Sequence, residues 1–130
     1  MATYTCDHVH LRSPNPEATA TWYERMFGAE VIRSTQAGKP RIDLRLGGLN
    51  LFIAAVPPGD AKTGASPVSP YLGLDHIGLG VRGIDAAVAE LKAKGASITV
   101  EPTTVRPGVR IAFLRGPEQV TIELVDRQAG

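Results

Sequence analysis

The sequence predicts an α+β fold in which two tandem β-α-β-β-β modules form a curved, cup-shaped mixed sheet with helices on its outer face. The main evidence is a repeat: Asp7-His8-Val9-His10-Leu11 is closely matched by Asp75-His76-Ile77-Gly78-Leu79. Each copy is followed by a polar turn and a helical pattern that ends near a glycine, Gly28 or Gly95. Neither module would cover its own sheet well alone, so two side by side should bury both helices against a shared sheet.

The first module is predicted to span residues 5–57. Alternating apolar and polar residues over 5–11 indicate a half-buried strand, and the following Pro-rich turn starts a helix. Three strand-like segments come next, over 29–34, 41–46 and 49–56, with Gly47-Gly48 as the tight connection between the last two. The apolar face of the helix is expected in the core and consists of Trp22, Tyr23, Met26 and Phe27.

A linker over 58–72 and a second module over 73–127 complete the predicted single domain. The linker is rich in proline and glycine, has no periodicity, and is long enough to double as a flap over a site. The second module repeats the order, with a strand at 74–81 and a helix that buries Ile84, Val88 and Leu91. Its remaining strands are predicted at 97–101, 109–114 and 120–125.

Composition restricts the class of protein. At 130 residues and 13.8 kDa the chain is large enough for one hydrophobic core. A net charge of +1 and the lack of a basic stripe argue against nucleic-acid binding. The single cysteine, Cys6, fits a reducing compartment and is interpreted as a small buried hydrophobe. No leader pattern follows Met1, and the longest apolar run, 51–56, is too short to cross a bilayer, so we expect a cytoplasmic protein without membrane contact.

Strand periodicity points to a metal site. If Val9 and Leu11 face the helix, His8 and His10 face the concave side of the sheet. In the last strand, Ile122 and Leu124 likewise leave Thr121 and Glu123 on the concave side. A glutamate in the middle of a strand is costly to bury without a partner, and a divalent cation bound by His8, His76 and Glu123 would satisfy it. Such a ligand set leaves positions open for water or substrate, as in catalytic sites.

Three passages resemble the vicinal oxygen chelate superfamily, which includes glyoxalase I, methylmalonyl-CoA epimerase, extradiol dioxygenases, and fosfomycin and bleomycin resistance proteins. They are the first repeat with Trp22-Tyr23 on its helix, Asp75-His76-Ile77, and the segment from Phe113 to Leu124, FLRGPEQVTIEL. The resemblance covers nearly the whole chain. It implies the fold, but this superfamily changes its chemistry on one scaffold.

The resemblance places His8, His76 and Glu123 on three of the family's metal ligands, around one divalent ion (Zn, Ni, Mn, Co or Fe). The fourth ligand, a glutamate in glyoxalase I and the epimerase, falls within 49–56, where Phe52 aligns best and no carboxylate occurs. The usual Asp-Pro-Asp-Gly turn is replaced here by Gly116-Pro117-Glu118-Gln119.

The resemblance implies a metal-dependent enzyme that acts on a small oxygen-chelating substrate, with lyase, isomerase or epimerase chemistry first. Extradiol-type ring cleavage and fosfomycin-type thiol transfer, which use a three-ligand site, are alternatives. The competing class is a metal-free, drug-sequestering protein of the bleomycin-resistance type. Small members of the superfamily usually dimerise, so the expected partners are a substrate and a second copy of the chain.

Other residues are candidates for contact with substrate. His10 is either a general acid or base or an outer partner of the metal ligands. Arg41 alternates with Asp43 and Arg45 and would bind an anionic group, although a solvated strand edge is as good an interpretation. Arg110 is a candidate for the same role, although it fits a surface residue better. The candidate substrate-binding residues are Asn50, Phe52, Arg41, Arg110 and Thr121.

Overall fold

The computed structural model describes residues 1–128, which form two compact units, Met1–Gly64 and a second that starts at Ala65. The elements of the first unit are β1 (Val9–Ser13), α1 (Pro16–Phe27), β2 (Glu30–Gln36), β3 (Lys39–Leu46) and β4 (Leu49–Ala55). Those of the second unit are β5 (Ile77–Gly80), α2 (Ile84–Ala93), β6 (Ser97–Arg106), β7 (Val109–Arg115), a 3-10 turn (Pro117–Gln119) and β8 (Thr121–Arg127). The predicted α+β class with two β-α-β-β-β modules is confirmed.

Each unit forms a four-stranded mixed sheet with the same order of strands, β1-β4-β3-β2 in the first and β5-β8-β7-β6 in the second. The first strand of each unit pairs in parallel with the last, and the remaining pairs are antiparallel. The last strand of each unit is therefore an inner strand, paired on both sides. Side chains in the middle of β4 and β8 are thus held by two neighbouring strands.

One helix packs on one face of each sheet, and that face contains the core. In the first unit, Tyr23 and Met26 of α1 are buried with Leu44, Leu51 and Ile53. In the second unit the buried set follows the predicted pattern and comprises Ile84, Val88 and Leu91 of α2 with Ala112, Leu114, Ile122 and Leu124 of the sheet. Trp22 and Phe27, which were predicted to lie in the core, are only half-buried. The opposite face of each sheet carries the polar and aromatic side chains discussed below.

The first strands are shorter than predicted. Because β1 starts at Val9 and β5 at Ile77, His8 and His76 immediately precede their strands instead of lying in them. Each strand begins where pairing with the last strand of its unit begins, at Leu51 and Ile122. The interpretation of Cys6 as buried is wrong: it is exposed, because the alternation of a strand does not extend back to it.

The remaining differences concern the hairpins and the segment between the units. The β6 strand continues to Arg106, well past the predicted end at 101, with irregular register against β7. Between β4 and β5 the described chain contains turns and bends but no helix or strand. Among residues 1–128, neither helix has the length and apolar character that a membrane span requires.

Candidate functional site

In the first unit, aromatic rings gather on the face of the sheet opposite α1. The ring of His8 stacks on Phe52 with centroids 4.2 Å apart and an interplanar angle of 21°. His10, whose backbone pairs with Phe52, points its ring edge toward the same phenyl group at 6.0 Å. Both histidines are exposed, His8 over 36% of its side chain, whereas Val9 and Leu11 are half-buried. The predicted division of β1 into a polar and an apolar face is therefore confirmed.

A charged pair borders these rings. The Arg41 guanidinium lies 4.8 Å from the centre of the Phe52 ring, within reach of a cation–π interaction. Its Nε donates a 2.9 Å hydrogen bond to Oδ2 of Asp43, and its Nη1 donates to Gln36. The other oxygen of Asp43, Oδ1, is buried and has no hydrogen-bond partner among the described residues. An arginine placed in this way can bind an anion only with its remaining N–H groups.

In the second unit, the corresponding face brings a histidine and a glutamate together. His76 Nε2 lies 3.3 Å from Oε1 of Glu123, and its ring meets Phe113 edge-on at 5.3 Å between centroids. Glu123 keeps 19% of its side chain exposed, since Ile122 and Leu124 take the buried side of β8. Two of the three predicted metal donors thus face each other at a distance that a cation between them would bridge.

Both predicted histidine ligands are oriented in the same way by the residue before them. Nδ1 of His8 lies 2.6 Å from Asp7 Oδ1, and Nδ1 of His76 lies 2.6 Å from Asp75 Oδ2. A carboxylate at Nδ1 keeps the proton there and leaves Nε2 free to bind a metal. The hydrogen bond that His76 donates to Asp75 raises the pKa of His76 above its usual value, with a smaller contribution from the charge of Glu123 and an opposing one from burial.

The register of the two sheets shows which residues correspond. Phe52 pairs with His10 on β1, and Glu123 pairs with Gly78 on β5. His10 and Gly78 are equivalent, because each lies two residues after the histidine that is bonded to an aspartate. Phe52 therefore occupies the position in the first unit that Glu123 holds in the second. Across the antiparallel neighbour, Phe52 pairs with Asp43 and Glu123 pairs with Phe113. The carboxylate and the aromatic ring have exchanged strands between the units.

Of the other residues predicted from the sequence, two lie on the polar face of their sheet and one lies on the helix side. Thr121 lies on the face of Glu123 and is half-buried. Asn50 is on the face of Phe52, and its Nδ2 donates a 3.0 Å hydrogen bond to the Asp7 carbonyl, so it positions the segment that carries His8. Arg110 does not join these residues. It lies on the helix side of β7 and binds both oxygens of Asp85 in the first turn of α2.

Sequence reasoning overlooked the two aspartates and Phe113 as parts of the site. The signal for the aspartates was present, because each copy of the repeat contains Asp directly before the histidine. Phe113 could be found only once its pairing with Glu123 was known. Within residues 1–128, no three His, Cys, Asp or Glu side chains converge closely enough to hold a metal ion by themselves.

Comparisons with known proteins agree with this architecture. Residues 5–124 match the family described as the glyoxalase/bleomycin resistance protein/dioxygenase superfamily. A putative lactoylglutathione lyase of Brassica oleracea var. gemmifera is 26% identical over 92% of this chain, which spans only 43% of that relative. A probable lactoylglutathione lyase of Vibrio cholerae serotype O1 is 26% identical over 98% of this chain and 94% of its own. A crystal structure of a glyoxylase/bleomycin resistance protein/dioxygenase domain from Frankia sp. EAN1pec is 19% identical, covers 98% of this chain and 100% of its own, and has a TM-score of 0.75.

Proposed function

Because the chain belongs to the glyoxalase/bleomycin resistance protein/dioxygenase superfamily, we propose that it is a divalent-metal-dependent enzyme acting on a small oxygen-chelating substrate. His8, His76 and Glu123 are the proposed protein ligands. The observation that carries the proposal is the repeated Asp–His pair, 2.6 Å in both units, which occupies Nδ1 of each imidazole and leaves Nε2 as the candidate metal donor. Two neutral imidazoles and one carboxylate suit Zn, Ni, Mn, Co or Fe.

The residues around the donors divide the remaining tasks. When bound, the ion would supply Lewis-acid stabilisation of negative charge that develops on a substrate oxygen. Asp7 and Asp75 fix the tautomers of the two histidines. His10, exposed and 5.6 Å from His8 between ring centroids, is the proposed general base that moves the substrate proton. We favour a lyase, isomerase or epimerase reaction because the curated relatives are named as lyases.

Phe52 favours a second reaction class on the same site. The position equivalent to Glu123 in the first unit holds a phenyl ring. The protein therefore offers three metal donors, whereas the resemblance to glyoxalase I implies a fourth, a glutamate, at this position. Three-donor sites of two histidines and a carboxylate fit extradiol ring cleavage or thiol transfer. Oxygen uptake by the Fe(II)-loaded protein in the presence of catechol would support the dioxygenase. If no oxygen is consumed but the protein exchanges a carbon-bound proton of an α-hydroxyketone with solvent, the isomerase or lyase is supported.

Metal analysis of variants tests the proposal. We expect wild-type protein purified without chelator to hold about one divalent ion per chain and to rebind it after dialysis. Glu123→Gln should weaken binding by more than the roughly 10- to 100-fold that loss of an outer partner costs, and Asp75→Asn should fall within that range. His10→Ala is the matched control and should retain the ion.

Two results would contradict this assignment. If His10→Ala loses the ion as fully as Glu123→Gln, His10 is itself a ligand and the donor set is wrong. If wild-type protein neither holds nor rebinds an ion, the metal-free sequestering class is favoured instead.

A further inference from the structure

The polar face of the second unit contains an open groove with a floor of glycine. Gly78 and Gly80 lie on the same side of β5 as Glu123, because they pair with Glu123 and Val125 on β8. The first unit places His10 and Arg12 at the corresponding positions of β1, opposite Phe52 and Ala54. Without side chains on β5, a space of about 620 Å³ opens beside Glu123, a size typical of small-molecule sites.

The two ends of the groove differ in charge. Glu123, the proposed metal ligand, lines one end, and Arg82 and Arg127 line the other. Arg127 lies four residues after Glu123 on β8, a span of roughly 13 Å at the rise of a strand. Asp126 does not neutralise the arginines, since it points to the opposite face and is buried against the start of α2. The groove thus joins the candidate metal site to a cationic end.

The backbone around both arginines is fixed. Val81 donates a 2.9 Å hydrogen bond to the Val125 carbonyl, and Gly83 donates to the Asp126 carboxylate, so Arg82 is held between two anchored residues. Gln128 donates a 2.8 Å hydrogen bond to the Gly108 carbonyl and secures the end of β8 after Arg127. Neither arginine has an ion-pair partner in the described part of the chain, whereas Arg110 is paired with Asp85.

We propose that this groove is the substrate channel of the enzyme and that it selects elongated anionic substrates. The terminal oxyanion of the substrate binds between Arg82 and Arg127, and its oxygen-chelating head reaches the ion beside Glu123. Guanidinium groups bind carboxylates through paired N–H donors, and a shared anion relieves the repulsion between two neighbouring arginines. This inference rests on the proposed function because the head of the substrate is placed by the metal.

A matched pair of chelators tests the channel. Suberic acid monohydroxamate carries a metal-binding head and a carboxylate tail, and octanohydroxamic acid has the same head and chain with an uncharged end. By titration calorimetry of the metal-loaded protein, we expect the charged compound to bind about tenfold or more tightly than the neutral one. In the Arg82→Gln/Arg127→Gln double variant that preference should disappear while binding of the neutral compound is kept.

The control variant carries the same change in net charge at other exposed arginines, Arg25→Gln/Arg106→Gln. Arg25 lies on α1 in the first unit, and Arg106 on β6, at the far edge of the second sheet from β5. This control should keep the full preference for the charged compound. Equal binding of the two hydroxamates by wild type, or a preference that survives in the groove variant, would overturn the proposal.

Failure of the metal site is distinguishable from failure of the groove. If neither hydroxamate binds and no ion is retained, the proposed function has failed. The groove is then judged alone by titrating suberate into ¹⁵N-labelled protein. Shifts of the Arg82 and Arg127 Nε signals that are stronger than those of Arg25 support an oxyanion site, and equal or absent shifts overturn it.

Discussion

A single side chain, Phe52, separates the first unit from the second at the candidate site. Its ring stacks on His8 and lies under the Arg41 guanidinium, so it is both packed and partly shielded from solvent. The register places it where Glu123 stands in the second unit. A carboxylate at this position would face His8 in the way that Glu123 faces His76. Substitution of Phe52 therefore tests whether the two units share one ligand geometry.

Phe52→Glu is expected to tighten binding of a divalent ion, since it adds a fourth donor, and a second carboxylate, to the proposed set. The comparison variant is Phe52→Gln, which loses the same stacking without gaining charge. Competition with a chelator of known affinity would measure the difference. Equal affinity in the Glu and Gln variants would show that position 52 does not face the ion.

Tyr23 offers a prediction for stability at high pH. The residue is 1% exposed, and its hydroxyl has no hydrogen-bond partner among residues 1–128. Burial raises the pKa of Tyr23 from 10.0 to about 12. The folded protein therefore keeps a proton that the unfolded chain loses above pH 10, and stability falls as pH rises from 10 toward 12. The full effect is on the order of 2–3 kcal/mol.

Tyr23→Phe should remove this loss and leave the free energy of unfolding at neutral pH unchanged or about 1 kcal/mol higher, because an unsatisfied hydroxyl leaves the core. Urea unfolding of both proteins between pH 8 and pH 11 would measure it, with the difference between the two curves isolating Tyr23 from other groups that titrate in the same range. Parallel curves would mean that the hydroxyl ionises as easily in the folded state as in the unfolded chain.

At the scale of elements, the two helices begin in different ways although the units are repeats. Asn15 caps α1 locally by accepting a 3.1 Å hydrogen bond from the Ala18 N–H. The N-cap of α2 is Gly83, which has no side chain to cap with. Asp126 on β8 replaces it from a distant part of the sequence, accepting 3.1 Å bonds from the N–H groups of Gly83 and Ile84. The start of α2 is thus tied directly to the strand that carries Glu123.

Asp126→Ala is expected to lower the free energy of unfolding by about 2–3 kcal/mol, since it leaves two N–H groups at a buried helix start without an acceptor. Asn15→Ala, at an exposed cap with one bond, should cost only about 1 kcal/mol. Thermal or urea unfolding would compare them. A smaller loss for Asp126→Ala than for Asn15→Ala would contradict the assigned role of Asp126.

The elements also show which parts of the fold and site the sequence could predict. Period-two alternation placed Glu123 opposite Ile122 and Leu124, and helical spacing identified the buried face of α2, because both patterns are local. The start of β1 could not be predicted from a local pattern, because it depends on where pairing with β4 begins. The sequence prediction therefore placed Cys6 and His8 in the first strand, which in the structure begins only at Val9. The position of Arg110 likewise depends on its pairing with Asp85 in another element.

At the scale of the molecule, the two units share one topology but differ in the side chains on the polar face of each sheet. Both units keep the Asp–His pair, but the first fills its face with Phe52, Arg41 and Asp43, and the second keeps Glu123 and opens a groove over two glycines. The proposed ligands are therefore divided, one in the first unit and two in the second. The resemblance to the superfamily implies a dimer, and we propose that the chain forms a homodimer in which each ion is bound by donors from both copies.

Mixing two defective variants tests this arrangement. His8→Ala lacks the donor of the first unit and Glu123→Gln lacks one of the second, so each protein alone should retain little metal. If each site takes His8 from one copy and His76 and Glu123 from the other, a dimer of the two variants contains one intact site and one doubly defective site. Metal content after unfolding and refolding the mixture together should then rise above that of either parent. No rise, with light scattering still showing dimers, would place all three donors within one chain, and a monomer by light scattering would refute the dimer itself.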